Sequence, residues 1–267
     1  MSLFEPIVDS AAPLARRNPT AKLVAALVLS LTLVVSLDPV APALALAVEL
    51  ALVPAFGLRY GELLRRTWPL LVSVAGAVFA LVLFAQERTG AVLVDAGPLH
   101  VTTGVLATAL ALALRLVAVG LPGLMVVATT DPTDLADSLV QNARVPARFA
   151  FGALAALRMV PLLGEEWRMI ALARRARGLD AGRNPVRGLR LLASAAFTLL
   201  VGAIRRGTRL AQAMDARGFD ARTPRTYARE QRFLRADTAM VAGAVVVAAG
   251  CVVASVVTGT FNPVFGG

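Results

Sequence analysis

Two short segments of the sequence carry the residues whose type and spacing are best suited to binding chemistry. Both are Ala-Arg-Gly triplets, at 176–178 and 216–218, and they lie 40 residues apart. The guanidinium of arginine presents a planar fork of N–H donors, which a carboxylate can accept at two points. Glycine directly after a helix favours the left-handed conformation that ends it. The spacing predicts two similar helix ends, and their residues form the candidate site: Ala176, Arg177, Gly178, Ala216, Arg217 and Gly218.

The similarity of the two segments extends beyond the triplets. Aligning residues 171–181 with residues 211–221 gives seven identities in eleven positions. Each glycine is also followed, two residues later, by an aspartate, Asp180 or Asp220. A single ending of this kind is explained by helix termination, because an arginine also favours the negative end of the helix dipole. Two copies favour a recognition element that docks onto a partner protein, and such arginines need perform no chemistry.

The residue types that enzymes use are sparse in this chain. The single cysteine excludes an internal disulfide and a multi-cysteine zinc site, and the single histidine leaves little for metal binding or acid–base catalysis. No Gly-x-x-x-x-Gly-Lys-Ser/Thr phosphate loop occurs, so this chain should not bind ATP itself. The adjacent Glu165 and Glu166 do not face each other on a helix and suit surface ion pairs better than acid–base catalysis. We therefore expect no catalytic residue, no metal site and no cofactor.

The composition is typical of a membrane protein. Of the 267 residues, 57% are hydrophobic and 16% are charged, whereas soluble domains have about 45–50% apolar and about 25% charged residues. At ~1.5 Å per residue, a helix of roughly 17–20 residues crosses the hydrocarbon core of a bilayer. Five apolar runs are long enough to do so: Ala21–Leu37, Ala41–Leu58, Trp68–Ala85, Gly104–Thr129 and Thr238–Thr258.

The distribution of charge predicts the orientation of these spans. Residues 131–235 contain 19 arginines and 9 acidic residues, so they carry the whole net charge of +10. Because cytoplasmic loops retain Lys and Arg, this segment is expected inside the cell. Arg16, Arg17 and Lys22 likewise place the N-terminus in the cytoplasm, and Gly267 then lies outside. In a membrane protein this explanation of the positive charge is preferred to nucleic-acid binding, and we expect no nucleic-acid partner.

The sequence therefore predicts an all-α polytopic protein of the inner (plasma) membrane with about five transmembrane helices. We expect four of these in residues 1–130, a cytoplasmic coupling region in residues 131–235, and the last span with an outer tail in residues 236–267. The apolar run Leu189–Ile204 is flanked by arginines on both sides, and spanning would place one cluster outside. It is interpreted as part of an amphipathic helix beneath the membrane.

One short and two long helices are expected in the coupling region. The short helix, Leu135–Gln141, follows Pro132 and could be capped by Thr133 or Asp134. The long helices run from Ala147 to about Arg177 and from Val186 to about Arg217, and each ends at one of the triplets.

Two charged residues, Glu49 and Arg115, fall inside predicted spans, where charges are costly and often functional. Counted from the outer ends of their spans, their depths differ by only ~5 Å. This predicts that they pair, directly or through water, within the helix bundle. The alternative is that each faces a polar crevice or extends separately toward the membrane surface.

The residues around the triplets resemble a known family. The stretch Arg158-Met-Val-Pro161-Leu-Leu-Gly-Glu165, followed by the first triplet, is similar to the T component of energy-coupling factor (ECF) transporters, including the cobalt-transporter permease branch. The segment Ala213–Phe219 resembles the second signature of that family. Thr130-Asp131-Pro132 resembles its junction between membrane and coupling regions. The resemblance covers most of the chain.

This resemblance implies a non-enzymatic subunit that links two cytoplasmic ABC-type ATPases to a small substrate-binding membrane subunit. The triplets would insert into grooves on the ATPases, with Arg177 and Arg217 as the principal contacts. The transporter would import a vitamin or a transition-metal ion. The competing hypotheses are a self-sufficient secondary transporter or channel, which would require paired membrane repeats, and a membrane enzyme acting on lipid, which would require a catalytic cluster at one interface.

Overall fold

The computed structural model of the protein describes residues 12–35, 38–84, 91–96, 99–179, 182, 184–219 and 226–260. Within these residues, helices account for nearly all of the regular structure. Five of the helices are long and apolar enough to cross a membrane. The prediction of an all-α polytopic membrane protein is therefore confirmed, with one short β-hairpin as an addition.

Most of the elements follow one another along the chain with short connections. In order they are α1 (Pro19–Val35), α2 (Val40–Leu52), a 3-10 helix (Val53–Phe56), α3 (Tyr60–Phe84), β1 (Val92–Ala96), β2 (Leu99–Thr102), α4 (Thr103–Thr129), α5 (Pro132–Gln141), α6 (Ala147–Ala176), α7 (Pro185–Ala216) and α8 (Arg235–Val257). Strands β1 and β2 pair antiparallel, with Asp95 opposite His100, in the connection between α3 and α4.

Three helix boundaries differ from the predicted ones for local reasons. Helix α2 changes into the 3-10 helix at Pro54, which lacks an N–H, and Gly57 then ends the segment with φ 71°. Helix α3 begins at Tyr60, ahead of its apolar run. Helix α5 begins at Pro132, because proline suits the first helical position. Its capping residue is Asp131, whose Oδ1 accepts a hydrogen bond from the backbone N–H of Thr133 at 2.6 Å. The expected caps, Thr133 and Asp134, lie inside the helix instead.

The chain divides into two compact units. Unit 1 comprises residues 3–138 and 231–267, and unit 2 comprises residues 139–230. In unit 1, helices α1, α2, α4 and α8 pack around small side chains such as Ala41, Ala45 and Ala118, with Leu33 and Cys251 in the same buried cluster. Small residues allow the backbones of membrane helices to approach closely. Unit 2 contains α6 and α7, which contact each other along part of their length.

Length and composition do not by themselves decide which helices cross the bilayer. By these two criteria α3, α4, α6, α7 and α8 qualify, while α1 and the segment of α2 with the 3-10 helix are shorter. The apolar runs of the sequence predict that the two shorter segments are spans, and the arginines of α6 and α7 predict that these two helices lie in the cytoplasm. That assignment remains a prediction.

A buried cluster of polar side chains joins the start of α1 to α5 and α8. Asn18 accepts a hydrogen bond from the hydroxyl of Ser138 (2.7 Å), and its backbone N–H donates to Oδ1 of Asp237 (3.0 Å). The hydroxyls of Thr20 and Ser138 are also bonded, at 2.7 Å. Asp237 in turn accepts a hydrogen bond from the backbone N–H of Leu234 at 2.8 Å. We call Asn18, Thr20, Ser138 and Asp237 the junction cluster; each is buried.

Removing a hydroxyl from the junction cluster should destabilise unit 1. Ser138→Ala leaves the buried polar groups of Asn18 and Thr20 without one partner, a loss of about 1–3 kcal/mol. We expect a lower midpoint of thermal unfolding in detergent, followed by tryptophan fluorescence. The matched control is Ser73→Ala, since the exposed Ser73 hydroxyl bonds only the Pro69 carbonyl of its own helix. Equal midpoints for the two variants would show that the cluster contributes nothing specific.

Candidate functional site

The first candidate site is the C-terminal end of α6. Arg177 caps the helix with φ −89° and ψ 9°, and Gly178 follows with φ 71°. The N–H of Gly178 donates to the carbonyl of Arg175 (2.9 Å), and the N–H of Leu179 donates to the carbonyl of Arg174 (3.0 Å). This pair of bonds is the Schellman motif, in which the residue after the cap adopts the left-handed conformation. Arg177 itself is exposed.

The end of α7 repeats this geometry. Arg217 has φ −88° and ψ 8°, and Gly218 has φ 70°. The N–H of Gly218 donates to the carbonyl of Asp215 (2.9 Å), and the N–H of Phe219 donates to the carbonyl of Met214 (3.1 Å). Both long helices therefore end at the predicted triplets, each with an exposed arginine at its cap. That these arginines contact a partner remains a prediction, and Asp180 and Asp220 lie outside the described residues.

Polar contacts hold α6 and α7 together, beginning near the end of α6. The guanidinium of Arg174 donates to the backbone carbonyl of Leu191 (2.7 Å) and to the hydroxyls of Ser194 (3.1 Å) and Thr198 (3.4 Å). Further along the pair, Glu166 forms an ion pair with Arg206. Because both contacts join one helix to the other, they fix the register of the two arginine-bearing ends.

An aromatic contact adds to this arrangement at the end of α7. The ring of Phe219 meets the ring of Phe151, with the ring centres 6.0 Å apart and the planes at 85°. This is the edge-to-face geometry that aromatic rings favour. Since Phe219 directly follows Gly218, the contact ties the second helix end to α6.

The predicted intramembrane pair of Glu49 and Arg115 is not formed as a direct contact. Neither carboxylate oxygen of Glu49 has a hydrogen-bond partner among the described residues. The acidic residue whose charge acts on Arg115 is Asp38, in the turn between α1 and α2. Asp38 is buried in that turn and also accepts a hydrogen bond from the backbone N–H of Ala41 at 2.9 Å. A contact between Glu49 and Arg115 through water remains a prediction.

Two polar residues near the start of α1, Lys22 and Asn18, make long-range contacts that no sequence pattern predicts. In the sequence, Lys22 contributes only a positive charge that predicts the orientation of the first span. In the structure, its ammonium donates to the backbone carbonyls of Ala15 (2.7 Å) and Thr129 (3.0 Å). The Asn18-Pro19 pattern before α1 is typical of a helix cap, and Oδ1 of Asn18 does accept a hydrogen bond from the N–H of Thr20 at 2.9 Å. No sequence pattern indicates the long-range partners of Asn18.

Metal ions in proteins are held mainly by histidine, cysteine, aspartate and glutamate side chains. Among the described residues, no three such side chains come together in a way that could hold a metal ion. The candidate site therefore consists of the two helix ends, with Arg177 and Arg217 as their charged groups.

Comparison with known families gives a match over most of the chain. The family model described as CbiQ, cobalt transport protein, matches residues 10–228. This range includes both Ala-Arg-Gly triplets, the junction before α5 and the first four helices.

Several curated proteins with similar sequences share one name, and another is named as an ATP-binding protein. The energy-coupling factor transporter transmembrane protein EcfT of Thermosediminibacter oceani is 32% identical over 200 residues, which is 72% of this chain and 74% of the relative. EcfT of Limosilactobacillus fermentum is 32% identical over 187 residues, or 67% of this chain and 69% of the relative. A protein of Bifidobacterium longum, whose name describes an ABC transporter ATP-binding protein, is 27% identical over 258 residues, or 92% of this chain and 33% of the relative.

The left-handed glycine at the end of α6 provides a test of the site's geometry. A Cβ added at Gly178 would meet no atom within 4 Å, so Gly178→Ala should cost about 1 kcal/mol from backbone conformation alone. We expect amide hydrogen exchange in the last turn of α6 to accelerate about fivefold, measured by mass spectrometry. Gly164→Ala is the matched control, because its Cβ is equally unhindered but sits in the helix interior, where alanine is favoured. Acceleration in both variants, or in neither, would contradict a conformational role for Gly178.

Proposed function

The chain belongs to the CbiQ family of cobalt transport proteins and is a transmembrane T component of an ECF transporter, and we propose that it couples cytoplasmic ABC-type ATPases to a small substrate-binding membrane subunit. The proposed role is mechanical and not enzymatic. The observation that carries it is the pair of helix ends at 176–178 and 216–218, which share one backbone geometry and each present an exposed arginine.

Two equivalent helix ends suit two ATPase subunits of similar shape. An arginine at a helix end can enter a groove on the partner and bind a carboxylate at two points. Because the left-handed glycine turns the chain away directly after the cap, the arginine is the last side chain of the helix. We propose that Arg177 contacts one ATPase and Arg217 contacts the other.

The partnership with an ATPase is supported by two features of sequence. These 267 residues contain no Gly-x-x-x-x-Gly-Lys-Ser/Thr phosphate loop, so we propose that the nucleotide is bound outside them. In addition, the relative from Bifidobacterium longum is named as an ATP-binding protein, and one third of its length aligns with nearly all of this chain.

The coupling itself would rest on the α6–α7 pair. Closure of the ATPases on ATP would change the distance between the two helix ends. Because Arg174 and the Glu166–Arg206 ion pair join the helices, that displacement would be carried along both of them. A conformational change of this kind requires that the contacts of the arginines differ in free energy between ATPase states.

The surface of α6 and α7 is suited to a second partner. Each helix has a single buried residue, Ala150 in α6 and Ala195 in α7. Large apolar side chains are exposed along both: Phe149, Leu157, Val160, Leu162, Met169 and Leu172 in α6, and Val186, Leu189, Leu192, Phe197, Leu200 and Ile204 in α7. Contiguous apolar surface of this kind marks interaction sites. We propose that it contacts the substrate-binding subunit and the inner leaflet.

The transported substrate would be determined by that subunit, and a vitamin or a transition-metal ion fits the family. We further propose that residues 1–130 and 236–267 form the membrane part, with the N-terminus in the cytoplasm and the C-terminus outside. Residues 131–235, with 19 arginines, would form the cytoplasmic coupling region, because positive charge is retained on that side.

Removing both arginines should separate the chain from its ATPases. We expect that a tagged Arg177→Ala/Arg217→Ala variant, purified from native membranes in mild detergent, retains at least about tenfold less ATPase than the wild type, as each lost charge-assisted contact contributes 1.5–3 kcal/mol. The measurement is quantitative mass spectrometry of the co-purified proteins. The small membrane subunit should be retained, since its proposed contact surface is unchanged.

The matched control is Arg168→Ala/Arg209→Ala, which removes two exposed arginines of the same helices away from their caps. If both double variants lose the ATPases equally, the effect is one of net charge and not of the helix ends. If the folded wild type brings no ABC-type ATPase at all, the coupling function is wrong, and the secondary-transporter hypothesis becomes the better one.

The proposed orientation can be tested with single cysteines in a Cys251→Ala background. Leu179→Cys lies between α6 and α7, and Thr260→Cys follows α8. In intact cells an impermeant maleimide should label Thr260→Cys, whereas Leu179→Cys should react only after the membrane is permeabilised. Labelling of Leu179→Cys in intact cells would mean that α6 and α7 cross the bilayer. The charge-based assignment would then be wrong.

A further inference from the structure

A cavity of about 350 Å³ lies within unit 1, between helices α1, α2, α4 and α8. Its size falls in the range of small-molecule sites, about 300–1,000 Å³. The walls are apolar apart from two side chains, Glu49 and Lys22. The cavity is partly open, so a molecule could enter without unfolding of the bundle.

Glu49 lines this cavity with an unsatisfied carboxyl group. Its side chain is almost completely buried, with 3% of the residue exposed. Neither Oε1 nor Oε2 has a hydrogen-bond partner among the described residues. A buried carboxylate without a cation or a donor is strongly unfavourable, and an ionisable side chain at membrane depth is a candidate functional group.

Lys22 does not supply the missing donor. Its ammonium already donates to the carbonyls of Ala15 and Thr129, at 2.7 and 3.0 Å. These two bonds hold its charge at the ends of α1 and α4 and not at the carboxylate. A molecule that occupies the cavity can supply the donor that Glu49 lacks among the described residues.

The chemistry of the walls restricts that occupant. A buried water needs two to four polar partners, and these walls offer one free carboxyl group among aliphatic, methionine and aromatic side chains. An apolar body with one cationic donor satisfies both parts of the site. We propose that the cavity binds a small protonated amine, with its ammonium on Glu49 and its apolar body against Phe56, Met125 and Met240. This site is separate from the helix ends and from the proposed ATPase contacts.

The two methionines give a direct measurement of binding. We would label the full-length protein with ¹³C at the methionine methyl groups, place it in phosphatidylcholine nanodiscs and add 2-phenylethylamine, which is protonated at pH 7. We expect saturable shifts of the Met125 and Met240 resonances. Met159, Met169 and Met214 lie in α6 and α7 and should not shift, which also reports that the protein stays folded.

Three variants make the test specific. Glu49→Gln keeps the volume of the side chain but removes its charge, and binding should weaken at least about tenfold. Gly243→Leu places a side chain in the cavity, where an added Cβ meets no atom within 4 Å, and should abolish the shifts. Gly250→Leu, also unhindered but on a part of α8 that does not line the cavity, should bind like the wild type.

The neutral analogue 2-phenylethanol separates recognition of charge from partition into lipid. It should bind at least about tenfold more weakly than the amine, because hydrogen bonds to charged groups are the stronger ones. The proposal is wrong if the amine causes no saturable shift at Met125 and Met240. It is also wrong if Glu49→Gln binds as tightly as the wild type, or if the alcohol binds as tightly as the amine. Since no ATPase is present, failure here leaves the coupling function untouched.

Discussion

The hydrogen bonds of Asn18 are the constraint on which the organisation of the chain depends. The chain leaves unit 1 after Ser138 and returns to it at residue 231. Asn18 binds both places: its Oδ1 accepts from the Ser138 hydroxyl, its side-chain amide donates to the Arg232 carbonyl at 3.4 Å, and its backbone N–H donates to Asp237. Because these bonds are buried or partly buried, breaking one of them costs stability, and both connections are held to one point at the start of α1.

Unit 2 is organised by a different principle. Its two long helices bury almost no side chains of their own, so their pairing relies on polar contacts such as those of Arg174 and on the Phe151–Phe219 stack. Most of the stability of a protein helix comes from packing of its apolar face, and here those faces remain exposed. A pair of stiff helices with uncovered apolar sides and matched charged ends is what a subunit that transmits movement between two partners requires.

The parts of this arrangement that depend on local sequence were predictable, and those that depend on distant contacts were not. Glycine after Ala-Arg predicted both helix ends, because the left-handed turn depends on that residue alone. The partners of Asn18 lie more than a hundred residues away, and no pattern in the sequence indicates them. The predicted similar depths of Glu49 and Arg115 require that both helices are full spans. Helix α2 has 13 residues, and the turn that precedes it brings Asp38 toward Arg115 instead.

The buried charges of unit 1 show why the Glu49 carboxyl group is informative. Among the buried charged residues that the structure describes, Lys22, Asp38 and Asp237 each make hydrogen bonds to backbone groups. Such satisfaction is the rule for buried polar groups. Lys22 and Asp237 each bond two segments of the chain, and Asp38 bonds the start of the helix that follows its turn. These three charged residues therefore have a structural role. Glu49 differs from these three, because it has no hydrogen-bond partner among the described residues and lies among apolar side chains. The protonated amine proposed above would supply the donor that this carboxyl group lacks.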